Sequence, residues 1–279
     1  MSGFSSEWLA LREPVDHRSR DAGVAERLRK YFADRESIGV VDLGCGTGSN
    51  LRGTFGLLPD EQHWTLVDYD PRLLTAARNA ISSWADASEG IGEDLRVRKD
   101  GKSMHIRFRQ ADLNADLDEA LGPSPDVVTA SAFFDLCSVH FINRFAVAVA
   151  QRRALFFTVL TYNGEQTWSP THPADIQMLA AFCAHQTSDK GFGASAGPQA
   201  ASALRAAFEV AGYIVQEGDS PWRLGETDRQ LIADLADGFA SAVAETGRMD
   251  ASVLASWSAL LRTGAVVGHT DTLAMPKQP

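Results

Sequence analysis

The sequence predicts an α/β fold built on a doubly wound, largely parallel sheet with helices on both faces. Three observations carry that prediction. Short apolar runs alternate along the chain with stretches of helical period, the pattern of repeated strand-helix units. The first run, residues 38–41, ends in Asp42-Leu43-Gly44-Cys45-Gly46-Thr47-Gly48, which suits a buried strand closing in a tight turn. A second run, residues 63–67, ends on Asp68, and the interval from Gly48 to Asp68 is what one strand-helix-strand unit requires.

Taken in order, residues 7–12 suit a short helix, and Pro14 with the alternating charges up to Arg20 predicts an irregular crossing segment. Val24, Leu28, Tyr31 and Phe32 recur at helical spacing before the glycine strand. Asp70 ahead of Pro71 reads as an N-cap with proline at the first helical position, followed by a core stripe of Leu73, Leu74, Ala77, Ile81 and Trp84. Asp100-Gly101 between two alternating runs, 95–98 and 104–108, predicts a hairpin whose second strand is the third parallel strand. Residues 127–131 form the fourth strand, and Val139, Phe141, Ile142, Phe145 and Val149 mark the helix after it. Residues 155–161 are the fifth. A long excursion, 162–197, follows with one short helix inside it, and a strand-exit loop of that size belongs to the binding face. A helix ending at Gly212 leads to the sixth strand, 213–216. Two more helices begin at Thr227, with Gln230 in capping-box spacing, and at Asp250; residues 265–275 form a last strand stopped by Pro276.

With 279 residues, 44% hydrophobic and 22% charged, the chain can bury a sizeable core, and one domain over 1–279 is expected. The formal charge of −10, from 36 acidic and 26 basic residues, offers no footprint for a phosphate backbone and argues against nucleic acid as partner. Cys45, Cys137 and Cys183 lie far apart without ligand spacing, so no disulfide frame and no metal site is expected, and reduced thiols point to the cytoplasm. No run approaches the ~18 apolar residues of a membrane span.

The spacing Asp42-x-Gly44-x-Gly46-x-Gly48 resembles the first motif of class I S-adenosylmethionine (AdoMet)-dependent methyltransferases. The dinucleotide fingerprint instead spaces its glycines Gly-x-Gly-x-x-Gly and seats a pyrophosphate on a helix N-terminus. AdoMet has no phosphate. Its sulfonium, amino-acid end and adenosine suit a carboxylate at Asp42 with close-approach glycines. The resemblance covers residues 22–276. The segments Arg12-Glu13-Pro14, Asp189-Lys190-Gly191-Phe192-Gly193 and Gly268-His269-Thr270-Asp271 are similar to those of bacterial members acting on small molecules, which fixes no acceptor.

The resemblance implies a Rossmann-like seven-stranded sheet, order 3-2-1-4-5-7-6, with strand 7 antiparallel. It also implies a cofactor site of Asp42, Gly44, Cys45, Gly46 and Gly48, with Asp68 on the ribose hydroxyls and Tyr69 on the adenine face. Asp112 and Leu113 would read the adenine edge, and Ser131 would touch AdoMet through its backbone. Segment 1–21 would cover the cofactor, with Arg18 or Arg20 either meeting its carboxylate or lying on the surface. Asp135 is expected in the acceptor pocket, as general base, as orienting group or as a helix cap. His185 is the candidate catalytic histidine of the excursion, with a structural role as the alternative. Tyr162, Lys190, Trp222 and His269 are candidate substrate-binding residues. Insertions 162–197 and 226–262 would form a lid over the acceptor, with an interface between two copies as the alternative for 226–262; monomer and homodimer both stand.

The expected activity is methyl transfer by SN2 displacement to an oxygen or nitrogen of a small molecule. The absence of Asn-Pro-Pro-Tyr and Asp-Pro-Pro-Tyr argues against a nucleobase or glutamine-amide acceptor. An aminopropyltransferase on the same sheet and a non-catalytic AdoMet-binding protein are the alternatives. A nicotinamide-dependent oxidoreductase is disfavoured by the glycine spacing.

Overall fold

The computed structural model describes residues 5–277. Two helices, α1 (Ser6–Ser19) and α2 (Ala22–Tyr31), precede β1 (Ser37–Leu43), and α3 (Ser49–Thr54) leads to β2 (Glu61–Asp68). Then come α4 (Pro71–Trp84), β3 (Ala87–Ile91), β4 (Asp94–Lys99), β5 (Lys102–Gln110), α5 (Leu117–Leu121) and β6 (Val127–Ser131). The second half runs α6 (Val139–Gln151), β7 (Leu155–Ser169), α7 (Asp175–Gln186), α8 (Ala200–Val210), β8 (Tyr213–Asp219) and β9 (Trp222–Leu224). It ends with α9 (Arg229–Glu245), α10 (Ala251–Ala259) and β10 (Gly264–Pro276).

The sheet has ten strands rather than the seven expected, in the order β3-β4-β5-β2-β1-β6-β7-β10-β8, with β9 paired to β10. The β5-β2-β1-β6-β7 stretch is parallel, and β10 runs antiparallel to both β7 and β8. Side chains alternate between two cores, Ile38 and Val40 on one face of β1 and Val41 and Leu43 on the other. The first core receives α1, α2 and α4 through Val15, Leu28 and Ile81; the second receives α6 and α8 through Phe145 and Phe208.

Local signals act as expected at two turns. Asp70 accepts the Arg72 N–H at 2.8 Å as the N-cap of α4. The Asp100-Gly101 hairpin joins β4 to β5.

Three elements depart from expectation. The irregular segment expected around Pro14 is the second half of a continuous α1: Val15 and Asp16 are buried on the sheet side, and that tertiary anchoring holds the helix through a missing N–H. The excursion expected from residue 162 begins instead as strand, because β7 runs for 15 residues and pairs with β10 as far as Ser169 opposite Gly264. The helix expected from Thr227 starts at Arg229, after one 3₁₀ turn in which Asp228 accepts the Gly225 N–H at 3.1 Å.

Since Ser131 at the end of β6 pairs with Val159, the rest of β7 projects beyond the carboxyl edge of the parallel strands as an arm shared with β9 and β10. On this arm α7, α9 and α10 build a cap. Phe182 stacks on Phe239 at 4.5 Å, Trp168 meets Trp257 at 5.4 Å, and Arg262 lies 4.5 Å from the Trp257 ring. Among the described residues no helix is long and apolar enough to cross a membrane.

Candidate active site

In open α/β sheets ligands bind outside the carboxyl ends of the strands. Here that edge carries an unusual density of strained backbone and unpaired polar groups. Gly44, Gly46 and Gly48 all have positive φ (61°, 54° and 77°), so the turn after β1 needs glycine at every second position. A Cβ on Gly44 would lie 2.8 Å from the Phe133 ring. Two non-glycine residues at the same edge, Ala132 (φ 49°) and Leu160 (φ 59°), are also left-handed, and such strain gathers at functional sites.

Asp68 fastens β2 to the glycine turn. Its Oδ2 accepts the Gly46 N–H at 2.9 Å and its Oδ1 the Asp70 N–H at 3.0 Å. Burial raises its pKa while these backbone donors oppose the shift. Cys45 is buried and donates its N–H to the Val67 carbonyl at 3.0 Å. Beneath the turn Asp42 is fully buried; its Oδ1 accepts from Asn50 Nδ2 at 2.8 Å, while Oδ2 has no partner. Burial pushes this carboxyl up to about 7. Asn50 links it to Arg20, whose Nη2 donates to Asn50 Oδ1 at 3.1 Å and whose Nη1 donates to Thr54 Oγ1 at 2.8 Å.

Past β6, Asp135 sits in a 3₁₀ turn with Oδ1 buried and unpartnered, and burial pushes its carboxyl up to about 6. It is not the cap of α6. Ser138 fills that role, accepting the Phe141 N–H at 3.1 Å. From the arm, His269 is 7% exposed, with its ring 5.2 Å from Trp222 and 6.3 Å from Tyr162. Its Nδ1 has no partner, and burial together with the Arg12 charge drives it down to about 3, so the ring is neutral at physiological pH. Burial raises the Tyr162 phenol, and the Asp135 charge adds to that shift, so the two groups share a neighbourhood.

The wall on the other side is α1. Leu9 reaches the glycine turn, where a Cβ on Gly46 would lie 3.1 Å from its Cδ1. Arg12 donates Nε–H to Asp16 Oδ2 at 2.8 Å and lies 5.4 Å from the Trp222 ring centroid, while Trp222 Nε1–H donates to Asp16 Oδ1 at 3.0 Å. A groove of about 590 Å³, lined by Arg18, Asn163, Asp219, Arg223 and His269 among others, opens from this region to solvent.

Edge and arm thus bring together Asp42, the glycine turn, Asp68, Ser131, Asp135, Tyr162, Trp222 and His269. Four other expected residues make different contacts or lie at the margin. His185 pairs with Glu245 at 3.0 Å and ties α7 to α9. Arg18 pairs with Asp228 at 2.7 Å and ties α1 to the start of α9. Lys190 lies in the loop after α7 and makes no ion pair among the described residues, and Asp112 is exposed, accepting the Asn114 N–H at 2.9 Å. Leu113 is buried beside Asp112, and Tyr69 is 57% exposed at the rim. Asp16, Asn50 and Phe133 line this region without having been singled out, and Arg12, named only within the segment Arg12-Glu13-Pro14, joins them. The i,i+4 pair Arg12–Asp16 was the available signal, readable only if α1 continues through Pro14.

Among solved structures the chain is similar to the YcgJ protein of Bacillus subtilis, at 12% identity over 93% of this chain and 100% of that one, with a TM-score of 0.52. It is also similar to the cyclopropane synthase MmaA2 of Mycobacterium tuberculosis (12% identity, 97% of this chain, 94% of that one, TM-score 0.51). A cyclopropane-fatty-acyl-phospholipid synthase-like protein of Lactobacillus casei is a third (12% identity, 95% and 99%, TM-score 0.51). The chain shares its fold with these three proteins, and at these identities the likeness extends to the fold alone. No protein-family model and no curated protein matches the chain.

Proposed function

We propose that this chain is an AdoMet-dependent methyltransferase acting on a small molecule. One observation carries the reading: a turn of three left-handed glycines, held to the next strand by the Asp68 carboxylate and underlain by Asp42, at the carboxyl edge of this fold. The seven strands other than β3, β4 and β9 are read as the methyltransferase sheet, and α1, α7, α9 and α10 as the cover of its site.

The residues present suit AdoMet. Asp42 Oδ2, Asp135 Oδ1 and His269 Nδ1 are buried without protein partners, which a polar, cationic ligand would relieve. When bound, AdoMet supplies a methyl group on a sulfonium that is already a good leaving group. The chain's own work is then to bind, align and dry the reactants. Asp68 uses two of about four carboxylate lone-pair sites on backbone donors and keeps the others for ribose hydroxyls. Tyr69 offers its ring to adenine. Asp42, ionised from about pH 7 upwards, opposes the cofactor's positive charge. Asp135, with its pKa near 6, is mostly ionised at neutral pH and can take the proton of an acceptor hydroxyl or ammonium. Neutral His269 orients the acceptor as a hydrogen-bond partner rather than as a charge.

The test is calorimetric titration with AdoMet, S-adenosylhomocysteine and NADH. Micromolar binding of the first two and none of the third is expected. NADH binding without AdoMet would overturn the reading.

A further inference from the structure

Five arginines are set deep in this protein, and four commit both ends of the guanidinium fork to protein acceptors. Arg20 donates to Thr54 and Asn50, Arg52 to Thr47 and Glu13, Arg152 to Ala148 and Asp118, and Arg262 to Pro170 and Asp175. Arg12 is the exception among the described residues. Its side chain is 12% exposed, yet only Nε is used, on Asp16, and neither Nη donates to an atom of the described residues.

The rest of the side chain is held fast. Asp16 is itself gripped by Trp222 Nε1–H, and the guanidinium lies over the Trp222 ring. The fork is therefore fixed in position and open at its far end. Its charge acts on both Asp135 and His269 without an ion pair to either, so both lie within reach of its field. Both of those neighbours also present buried, unpartnered atoms.

We propose that Arg12 is a carboxylate receptor, its two free Nη donors taking the oxygens of a ligand carboxylate in parallel while Asp135 accepts a hydrogen bond from an adjacent N–H or O–H of the same ligand. A planar fork matches a carboxylate in two parallel bonds. Asp16 and Asp135 already offset the guanidinium, which disfavours a dianionic phosphate and suits a carboxylate carried by a ligand that also bears a cationic amino group. The amino-acid end of AdoMet has this chemistry, and so does an amino- or hydroxy-acid acceptor; the first source rests on the methyltransferase reading.

Calorimetry on the wild-type protein, Arg12→Lys and Arg12→Met separates the sources. Lys keeps a charge beside Asp16 but loses the fork. The probes are S-adenosylhomocysteine, 5′-methylthioadenosine, which lacks the amino-acid end, and benzoate, titrated with and without S-adenosylhomocysteine. Loss of about tenfold or more in S-adenosylhomocysteine affinity in both variants, with 5′-methylthioadenosine unchanged, assigns the receptor to the cofactor and shows that the nucleoside site is still folded. Unchanged nucleoside binding, with benzoate bound by wild type and lost in Arg12→Lys, assigns it to the acceptor. Affinities for S-adenosylhomocysteine and benzoate that both ignore the substitutions overturn the proposal. If neither nucleoside binds wild type, the AdoMet reading fails and the benzoate comparison alone decides the role of Arg12.

Discussion

The two faces of the sheet are built from different materials. Under α6 and α8, Phe134, Phe141, Phe145, Phe156 and Phe208 pack ring on ring, with Phe156 and Phe208 stacked at 4.7 Å. On the α1 face the strands carry acids among their apolar residues. Asp42 follows Val40, Asp68 follows Leu66 and Asp271 precedes Leu273, each on the same side as its apolar neighbour. Buried carboxylates cost stability unless paired, whereas buried rings supply it. Both faces bury apolar side chains, and the α1 face adds charge where a ligand can use it.

The sharpest way to break this division is Phe156→Ala. With Phe156 fully buried, urea denaturation should show a loss of about 3–5 kcal/mol, with S-adenosylhomocysteine affinity unchanged in the folded protein. A parallel loss of affinity would mean that the faces do not act separately.

Asp271→Ala should cost less, about 2–3 kcal/mol by the same measurement. It strips the acceptor from the Leu160 and Asp21 N–H groups and from the Ser220 hydroxyl, but also removes a buried charge. Asp68→Ala should weaken AdoMet binding by at least ~1.5 kcal/mol, read by calorimetry. Unchanged affinity would remove Asp68 from the ribose site.

The most gradual expected effect is a slope. Burial lifts Asp42 from an ordinary value of 3.8 to about 7, so between those values the folded chain holds a proton that the unfolded chain has lost. Stability of the free protein should fall as pH rises across that window, by at most about 1.4 kcal/mol per pH unit from this group, and Asp42→Asn should flatten the thermal-melt profile. Asp135, lifted to about 6, adds in the same direction over a narrower window. Affinity for cationic AdoMet should move the opposite way and rise as Asp42 ionises.

What could be read from the chain divides along similar lines. The glycine turn, the Asp70 cap and the Asp100-Gly101 hairpin are local devices whose residues do their work within a few positions, so they are visible in sequence. Asn163-Gly164 carries a turn signal that is met by a bulge inside β7: Gly164 takes φ 90° where the register with β10 shifts, and the ladder resumes beyond it. Gly164 is there for room: a Cβ would sit 2.9 Å from Pro198. Pro14 misleads, since contacts beyond the helix sustain α1. Arg12 acquires its role from Trp222, more than two hundred positions away, and the pairing of His185 with Glu245 shows the converse, a plausible catalytic type used as a tie.

The long ladder between β7 and β10 also has a mechanical consequence. The cap rides on two strands that leave the sheet without an intervening loop, so it can bend only where their register shifts, between Val267 and His269 and between Thr270 and Thr272. A wall that can move more readily is α1, which is latched by Glu13 to Arg52, His17 to Ser49 and Arg18 to Asp228 rather than by covalent continuity with the sheet. Polar latches of this kind weaken as salt screens them, so the rate at which the protein exchanges its ligand should quicken with ionic strength even where the equilibrium affinity hardly moves.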